Sequence, residues 1–237
     1  MKIIGVIGGT GPESTIDYYR EMVATYRERV RDGSYPTIVI NSVDMKQLVD
    51  MITAGELAKV TEFLLREISR LARAGAEIGF IAANTPHLVF DQVRQQSPIE
   101  LISIVEAARD VAFDLGLRRV GLIGTRFTME AAFYPDVFAA KGISVVIPEA
   151  ADRAYVHDKY MGELVNGVVL PETRDRLVGV IRKLRDTEKI DGIVLGGTEL
   201  SLILKDASYV GIPCLDTTRI HVHRVLEEAL EGARTTR

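Results

Sequence analysis

A chain of 237 residues, 47% of them hydrophobic, can bury one or two compact cores. Its net charge of −4 is spread over interspersed acids and bases, so no nucleic-acid or membrane partner is expected, and no apolar run reaches the ~20 residues of a membrane span. A single cysteine, Cys214, excludes an internal disulfide and thiol-rich zinc sites and suits a reducing cytoplasm. The N-terminus goes straight into a strand pattern and lacks the apolar stretch and cleavage site of a signal peptide.

In chain order, short β-rich apolar runs fall at 2–7, 37–41, 78–82, 101–103, 119–123, 144–147, 192–195 and 212–215. Helical patterns lie between them, clearest at 16–29, 56–72, 105–115 and 174–185. In the second of these, Val60, Phe63, Leu64, Ile68 and Leu71 recur at helical spacing, while Lys59, Glu62, Arg66 and Arg70 make a solvated face. Continuous apolar strands alternating with helices predict an α/β fold with parallel sheets covered on both faces.

The chain also repeats itself. Gly5-Val6-Ile7-Gly8 returns as Gly121-Leu122-Ile123-Gly124, each followed by a polar turn and a helix with an aromatic pair, Tyr18-Tyr19 or Phe133-Tyr134. Phe80-Ile81-Ala82-Ala83-Asn84-Thr85 is mirrored by Val194-Leu195-Gly196-Gly197-Thr198-Glu199 at almost the same offset. The expected architecture is two similar lobes related by a pseudo-twofold, with a ligand cleft between them. The first lobe takes 1–101 plus a C-terminal segment of about 212–237, and the second takes 106–209.

Four polar clusters sit at predicted strand ends, where open parallel sheets bind ligands. Gly8-Gly9-Thr10-Gly11-Pro12-Glu13-Ser14-Thr15 could turn sharply and offer amides to an anion, or could be a tight turn with Ser14 or Thr15 capping a helix. It is not the Gly-x-Gly-x-x-Gly of a dinucleotide fold. Asn84-Thr85-Pro86-His87 offers donors for a carboxylate, with His87 as a base or a capping group. Thr198-Glu199 supplies a hydroxyl and a carboxylate in the mirrored position. In Asp216-Thr217-Thr218-Arg219-Ile220-His221, Asp216 or Thr217 caps the last helix or meets a ligand.

These clusters, with Gly124-Thr125-x-x-Thr128-Met129, resemble in content and order the pyridoxal-independent aspartate/glutamate racemase family, whose motif pair reads Cys-Asn-Thr-x-His and Gly-Cys-Thr-Glu. The cysteine positions hold Ala83 and Gly197 here, and Thr10 stands where many members have Met. The resemblance implies a cofactor-independent, metal-free racemase of aspartate, glutamate or a related small carboxylate, as a cytoplasmic homodimer. Its ligand would lie against Gly9, Thr10, Asn84, Thr85, Thr128, Thr198 and Glu199. The family removes an α-proton on one face and returns one on the other through two thiols. With both missing, His87 and Glu199 are the remaining acid/base candidates. Cys214 fits better as a small buried hydrophobe than as a substitute thiol. A lyase or decarboxylase-like enzyme and a non-catalytic carboxylate binder remain alternatives. If the rest of the pocket is an intact racemase, restoring both cysteines should restore racemisation.

Overall fold

In the computed structural model, residues 1–231 are described. They divide into two compact units: Met1–Ser103 with the segment that begins at His221, and Ile104–Ile220.

The first unit contains β1 (Ile4–Gly8), α1 (Pro12–Val30), β2 (Ile38–Ser42), α2 (Met45–Thr53), α3 (Leu57–Arg73), β3 (Ile78–Ile81), α4 (Phe90–Gln96) and β4 (Glu100–Ile102). Its four strands are parallel in the order β2-β1-β3-β4. The second unit contains α5 (Ile104–Asp114), β5 (Arg119–Gly124), α6 (Arg126–Glu130), α7 (Phe133–Ala139), β6 (Ser144–Val146), α8 (Ala150–Gly162), α9 (Pro171–Glu188), β7 (Gly192–Gly196), α10 (Leu200–Ile203), β8 (Ser208–Tyr209) and β9 (Ile212–Asp216). Here the order is β6-β5-β7-β9-β8, parallel except for the last pair. Helix α11 (Thr217–Glu231) starts in the second unit and continues into the first.

The four parallel strands of each unit, β1–β4 in one and β5, β6, β7 and β9 in the other, therefore follow one topology, so the sequence repeat is a repeat of folds. Each strand's alternation sends one set of side chains to either face. Ile4 and Val6 pack with Tyr18 and Met22 of α1 and Val222 and Leu226 of α11. Between them Gly5 faces α3, where an added Cβ would lie 2.9 Å from the Ala76 Cβ and 3.3 Å from the Leu71 Cβ. In the second unit, Val120, Leu122 and Val194 pack with Ile104, Tyr134 and Phe138, whereas Ile123, Ile193 and Leu195 pack with Val156, Leu177 and Ile181. A Cβ at Gly121 would lie 2.8 Å from the Ile190 Cδ1. The first glycine of each repeat is thus a point where the covering structure presses close on the sheet.

Two expectations need correction. The segment from Ile212 to Ile220 belongs to the second unit, because β9 pairs with β7 through Ile193–Cys214, Val194–Leu215 and Leu195–Asp216. The charged side of α3 is also more than a solvated face. Arg66 and Arg70 converge on Glu67, which is 2% exposed and also accepts from Asn41 Nδ2 at 2.9 Å. Strand β8, which the sequence pattern missed, is a two-residue antiparallel pairing too short to show alternation.

Burial opposes ionisation of Glu67, but hydrogen bonds from Asn41, Arg66 and Arg70 outweigh it and bring its pKa below the usual value. Such a carboxylate adds stability above the unfolded pKa and loses it as pH falls through the folded one. Glu67→Gln should cost about 1–3 kcal/mol in urea unfolding at pH 7. An unchanged midpoint would show that the two arginines are merely surface neighbours.

Candidate functional site

In each unit the chain order reverses direction between two adjacent strands, β1 and β3 in the first, β5 and β7 in the second. Ligands of open α/β sheets bind beyond the carboxyl ends of such strands. Those ends carry the Gly8-Gly9 and Ala82-Ala83-Asn84 stretches, and the Gly124-Thr125 and Gly196-Gly197-Thr198 stretches.

At the first of these points Gly9 has φ 77°, and a Cβ there would meet the Val43 carbonyl oxygen at 2.3 Å. Its amide donates to Thr15 Oγ1 at 2.8 Å, and that hydroxyl donates to the Gly11 carbonyl at 3.1 Å. Thr15 thus ties the loop together, while Gly11 is the N-cap of α1 without any side-chain bond and Pro12 opens the helix. Thr10 Oγ1 and Ser14 Oγ each reach the Ala82 carbonyl at 3.4 Å, which joins this loop to the end of β3. Asn84 and Ala83 are buried, Thr85 is half-buried, and Thr85–Val89 forms a 3₁₀ turn with Pro86 in its first positions.

His87 is 4% exposed, stacks on Phe90 at 4.6 Å between centroids, and hydrogen-bonds the backbone at Ala83 and Asn84. Burial, then the neighbouring His221 and Arg94, push its pKa down to about 3. A neutral imidazole bonded to the strand end suits a group that positions Ala83 and Asn84. His221 is fully buried beside it in the same unit. Its Nδ1 accepts from Tyr18 Oη at 3.0 Å and its Nε2 donates to the Ile102 carbonyl at 3.0 Å, which fixes one tautomer. Burial brings its pKa down to about 4.

The second point is built differently. Thr125 caps α6 by accepting from the Thr128 amide at 3.2 Å, and the two hydroxyls bond at 3.1 Å with Thr128 fully buried. At Gly197, an added Cβ would lie 2.4 Å from Cε2 of Tyr160 and 3.1 Å from its Oη. Tyr160 projects from α8, and its ring occupies the space in which a residue-197 side chain would begin. The phenol donates to Glu199 Oε2, and Thr198 Oγ1 donates to the same oxygen at 2.9 Å. Glu199 is 1% exposed, and its Oε1 has no hydrogen-bond partner among the described residues. Burial raises the pKa of Glu199 despite both donors. Burial and the Glu199 carboxylate hold the Tyr160 phenol well above its ordinary value. Thr198 and Glu199 therefore belong to one hydrogen-bonded cluster with Tyr160.

The structure gathers Gly9, Thr10, Asn84, Thr85 and His87 around one pair of strand ends, and Thr128, Gly197, Thr198 and Glu199 around the other. Lys46 is not gathered: its ammonium is paired with Asp50 on an exposed helix face. The Arg126 guanidinium lies over the Phe127 ring, 5.6 Å from its centroid. Asp216 caps α11, its Oδ1 accepting from the Thr218 amide at 3.0 Å, the Arg219 amide at 3.2 Å and Ser201 Oγ at 2.8 Å. Tyr160 escaped the sequence reading. The signal for it was the Asp152, Val156, Tyr160 spacing, which puts three side chains on one buried face of α8.

Cys214 lines a cavity of about 230 Å³ in the second unit, with Val111, Leu204, Asp216, Arg219 and Ile220. Burial and then the nearby Asp216 and Asp206 raise its thiol to about 12. At pH 8, iodoacetamide should label it at least on the order of 10²-fold more slowly than glutathione. Equal rates would mean an activated thiol. Among the described residues no group of three potential metal ligands is present, and no helix is long and apolar enough to cross a membrane.

Two α/β units with matching strand order, each with a polar strand end at its switch point, define a duplicated small-ligand fold. The family described as Asp/Glu/hydantoin racemase matches residues 7–225, and the chain belongs to it. It is similar to the broad-specificity amino-acid racemase RacX of Bacillus subtilis (strain 168), with 21% identity over 91% of this chain and 93% of that one. The crystal structure of an aspartate racemase homologue from Pyrococcus horikoshii OT3 superposes with a TM-score of 0.83 at 36% identity, covering 97% of this chain and all of the other. A candidate Asp/Glu racemase from Yersinia pestis superposes at 0.87 with 33% identity and the same coverage.

Proposed function

We propose that this protein is a cofactor-independent enzyme of the amino-acid racemase type, acting on aspartate, glutamate or a related small carboxylate without a thiol pair. The observation that carries this reading is the presence of polar strand-end groups in both units, Asn84 and Thr85 in one and Thr198 in the other, beside Ala83 and Gly197, where the family resemblance would place cysteines. Neutral amide and hydroxyl donors at such ends suit a carboxylate ligand. Membership of the racemase family and the likeness to RacX support the reaction class. A cytoplasmic homodimer fits the same reading.

A second reading draws on one asymmetry. On the Ala83 side His87 is buried and held neutral, whereas Gly197 has Tyr160 against it. A lyase or decarboxylase-like reaction needs a single protonation and so one donor.

Incubation of the wild-type protein with L-aspartate, L-glutamate and a panel of small amino and dicarboxylic acids in D₂O tests both readings. Loss of the α-hydrogen signal in proton NMR is the expected result. Release of CO₂ or of an unsaturated acid instead would favour the second reading. Thermal stabilisation by a carboxylate with neither reaction would leave a binding protein.

A further inference from the structure

We propose that Tyr160 is the proton donor of the second unit and stands in for the thiol that Gly197 cannot carry. This rests on the reading that the protein processes a small carboxylate, and it names the group that acts on one side.

The argument begins with space. The ring edge of Tyr160 fills the volume directly beyond the Gly197 Cα, and its hydroxyl lies 3.1 Å from where a Cβ would be. No thiol fits there while the ring stays, and outside the adjoining residues 196 and 198 the phenol oxygen is the polar atom nearest that position. The hydroxyl is also oriented. It bonds Glu199 Oε2, which Thr198 Oγ1 holds from another direction at 2.9 Å. Glu199 keeps a second oxygen, Oε1, buried and unpartnered among the described residues. A buried carboxyl oxygen left without a partner is costly in a purely structural cluster. It is accounted for if a ligand or water completes the cluster during turnover.

The chemistry also has a direction. Burial and the adjacent Glu199 disfavour the phenolate, so Tyr160 acts as an acid and not as a resting base. In the step proposed, the Tyr160 Oη–H bond breaks as a C–H bond forms at the substrate carbanion, whose electron pair becomes that bond. The phenolate left behind takes a proton from solvent water as product leaves, and the hydroxide formed is neutralised by bulk buffer. Glu199 and Thr198 are positioning residues that hold the hydroxyl in place.

The test pairs turnover with a signal that does not need it. In the first arm, D₂O exchange of the active panel acid is compared between wild type and Tyr160→Phe, a variant that keeps the ring. A kcat lower by about 10²-fold or more with KM within about threefold supports the assignment. Wild-type exchange that Tyr160→Phe leaves within about threefold overturns it while the reading of function stands. In the second arm, 3-fluorotyrosine is placed at position 160, its hydroxyl kept, and succinate is titrated while the fluorine resonance and the heat of binding are followed. If wild type exchanges nothing on the panel, the racemase reading fails, and this arm decides. A saturable fluorine shift supports Tyr160 as the ligand-facing group. Binding heat without a shift, or no binding at all, overturns it. Should Tyr160→Phe fail to fold, a saturable shift in the second arm supports the proposal and binding without one overturns it.

Discussion

Gly197→Cys should lower the melting temperature and should not speed α-hydrogen exchange beyond the wild-type rate, alone or with Ala83→Cys. From sequence, the two substitutions look like a repair of the family's motif. The structure makes the second one an insertion into filled space, since the new Cβ would start 2.4 Å from a ring carbon of Tyr160. That ring is 6% exposed and packs with Val156, Leu164 and Leu200, so it has no free volume to enter. Overpacking a buried site costs about 1–3 kcal/mol, or roughly 2–12 °C in a protein of this size. Ala83 already carries a Cβ, so Ala83→Cys adds one sulfur atom and should be tolerated within about 1 kcal/mol. Adding Tyr160→Ala to Gly197→Cys should recover stability relative to the sum of the single changes, with a coupling of at least about 1 kcal/mol. Additive effects in that cycle would mean that the ring does not exclude the thiol.

Acid should unfold the protein through two histidines rather than through its carboxylates first. His87 and His221 are both buried in the first unit, with folded pKa values pushed down to about 3 and about 4 against an ordinary 6.5. In each case burial is the leading cause. For His87, the charge that His221 would carry adds to it. The unfolded chain binds these protons near pH 6.5 and the folded one does not. Stability is therefore fully present above pH 6.5 and declines as pH falls from there toward 4. Two such protons give a slope of about 2.7 kcal/mol per pH unit at its steepest, enough to remove about 5–8 kcal/mol, the lower part of the range of domain stabilities, over about 2–3 units at that slope. Urea unfolding measured between pH 7.5 and 4.5 should show this slope, while the imidazole resonances of both residues stay neutral in the folded protein. A flat profile across that range, or a buried imidazole titrating near 6.5, would contradict the arrangement.

Much of the fold was legible because each strand and helix has a periodicity of its own. The eight predicted runs correspond to β1–β7 and β9, and the glycine repeat at Gly5 and Gly121 marks points where the sheets are pressed closely. What the pattern could not supply was pairing. The affiliation of 212–220 depends on β9 meeting β7, a contact with no trace in either strand's composition. Arg66 and Arg70 read as part of a solvated helix face because the buried Glu67 they pair with is held from Asn41, 26 residues before it. The candidate site was legible as positions and only partly as chemistry. Ala83 and Gly197 stood out through the repeat, but a missing side chain says nothing about what fills its place. Tyr160 lies 37 residues before Gly197, and only the packing of α8 on the sheet of the second unit brings the two together. His87, which the sequence left open between base and cap, is tied to the backbone around Ala83 and Asn84, and its burial suits the second role.

The central claim is that the racemase scaffold here works on a carboxylate without a thiol. The most direct measurement is α-hydrogen exchange in D₂O by the wild-type protein, run before and after complete alkylation of Cys214 under conditions that keep the fold. The account predicts exchange of at least one small amino or dicarboxylic acid, at the same rate in both preparations. Exchange abolished by alkylation, or absent from the whole panel, would contradict it.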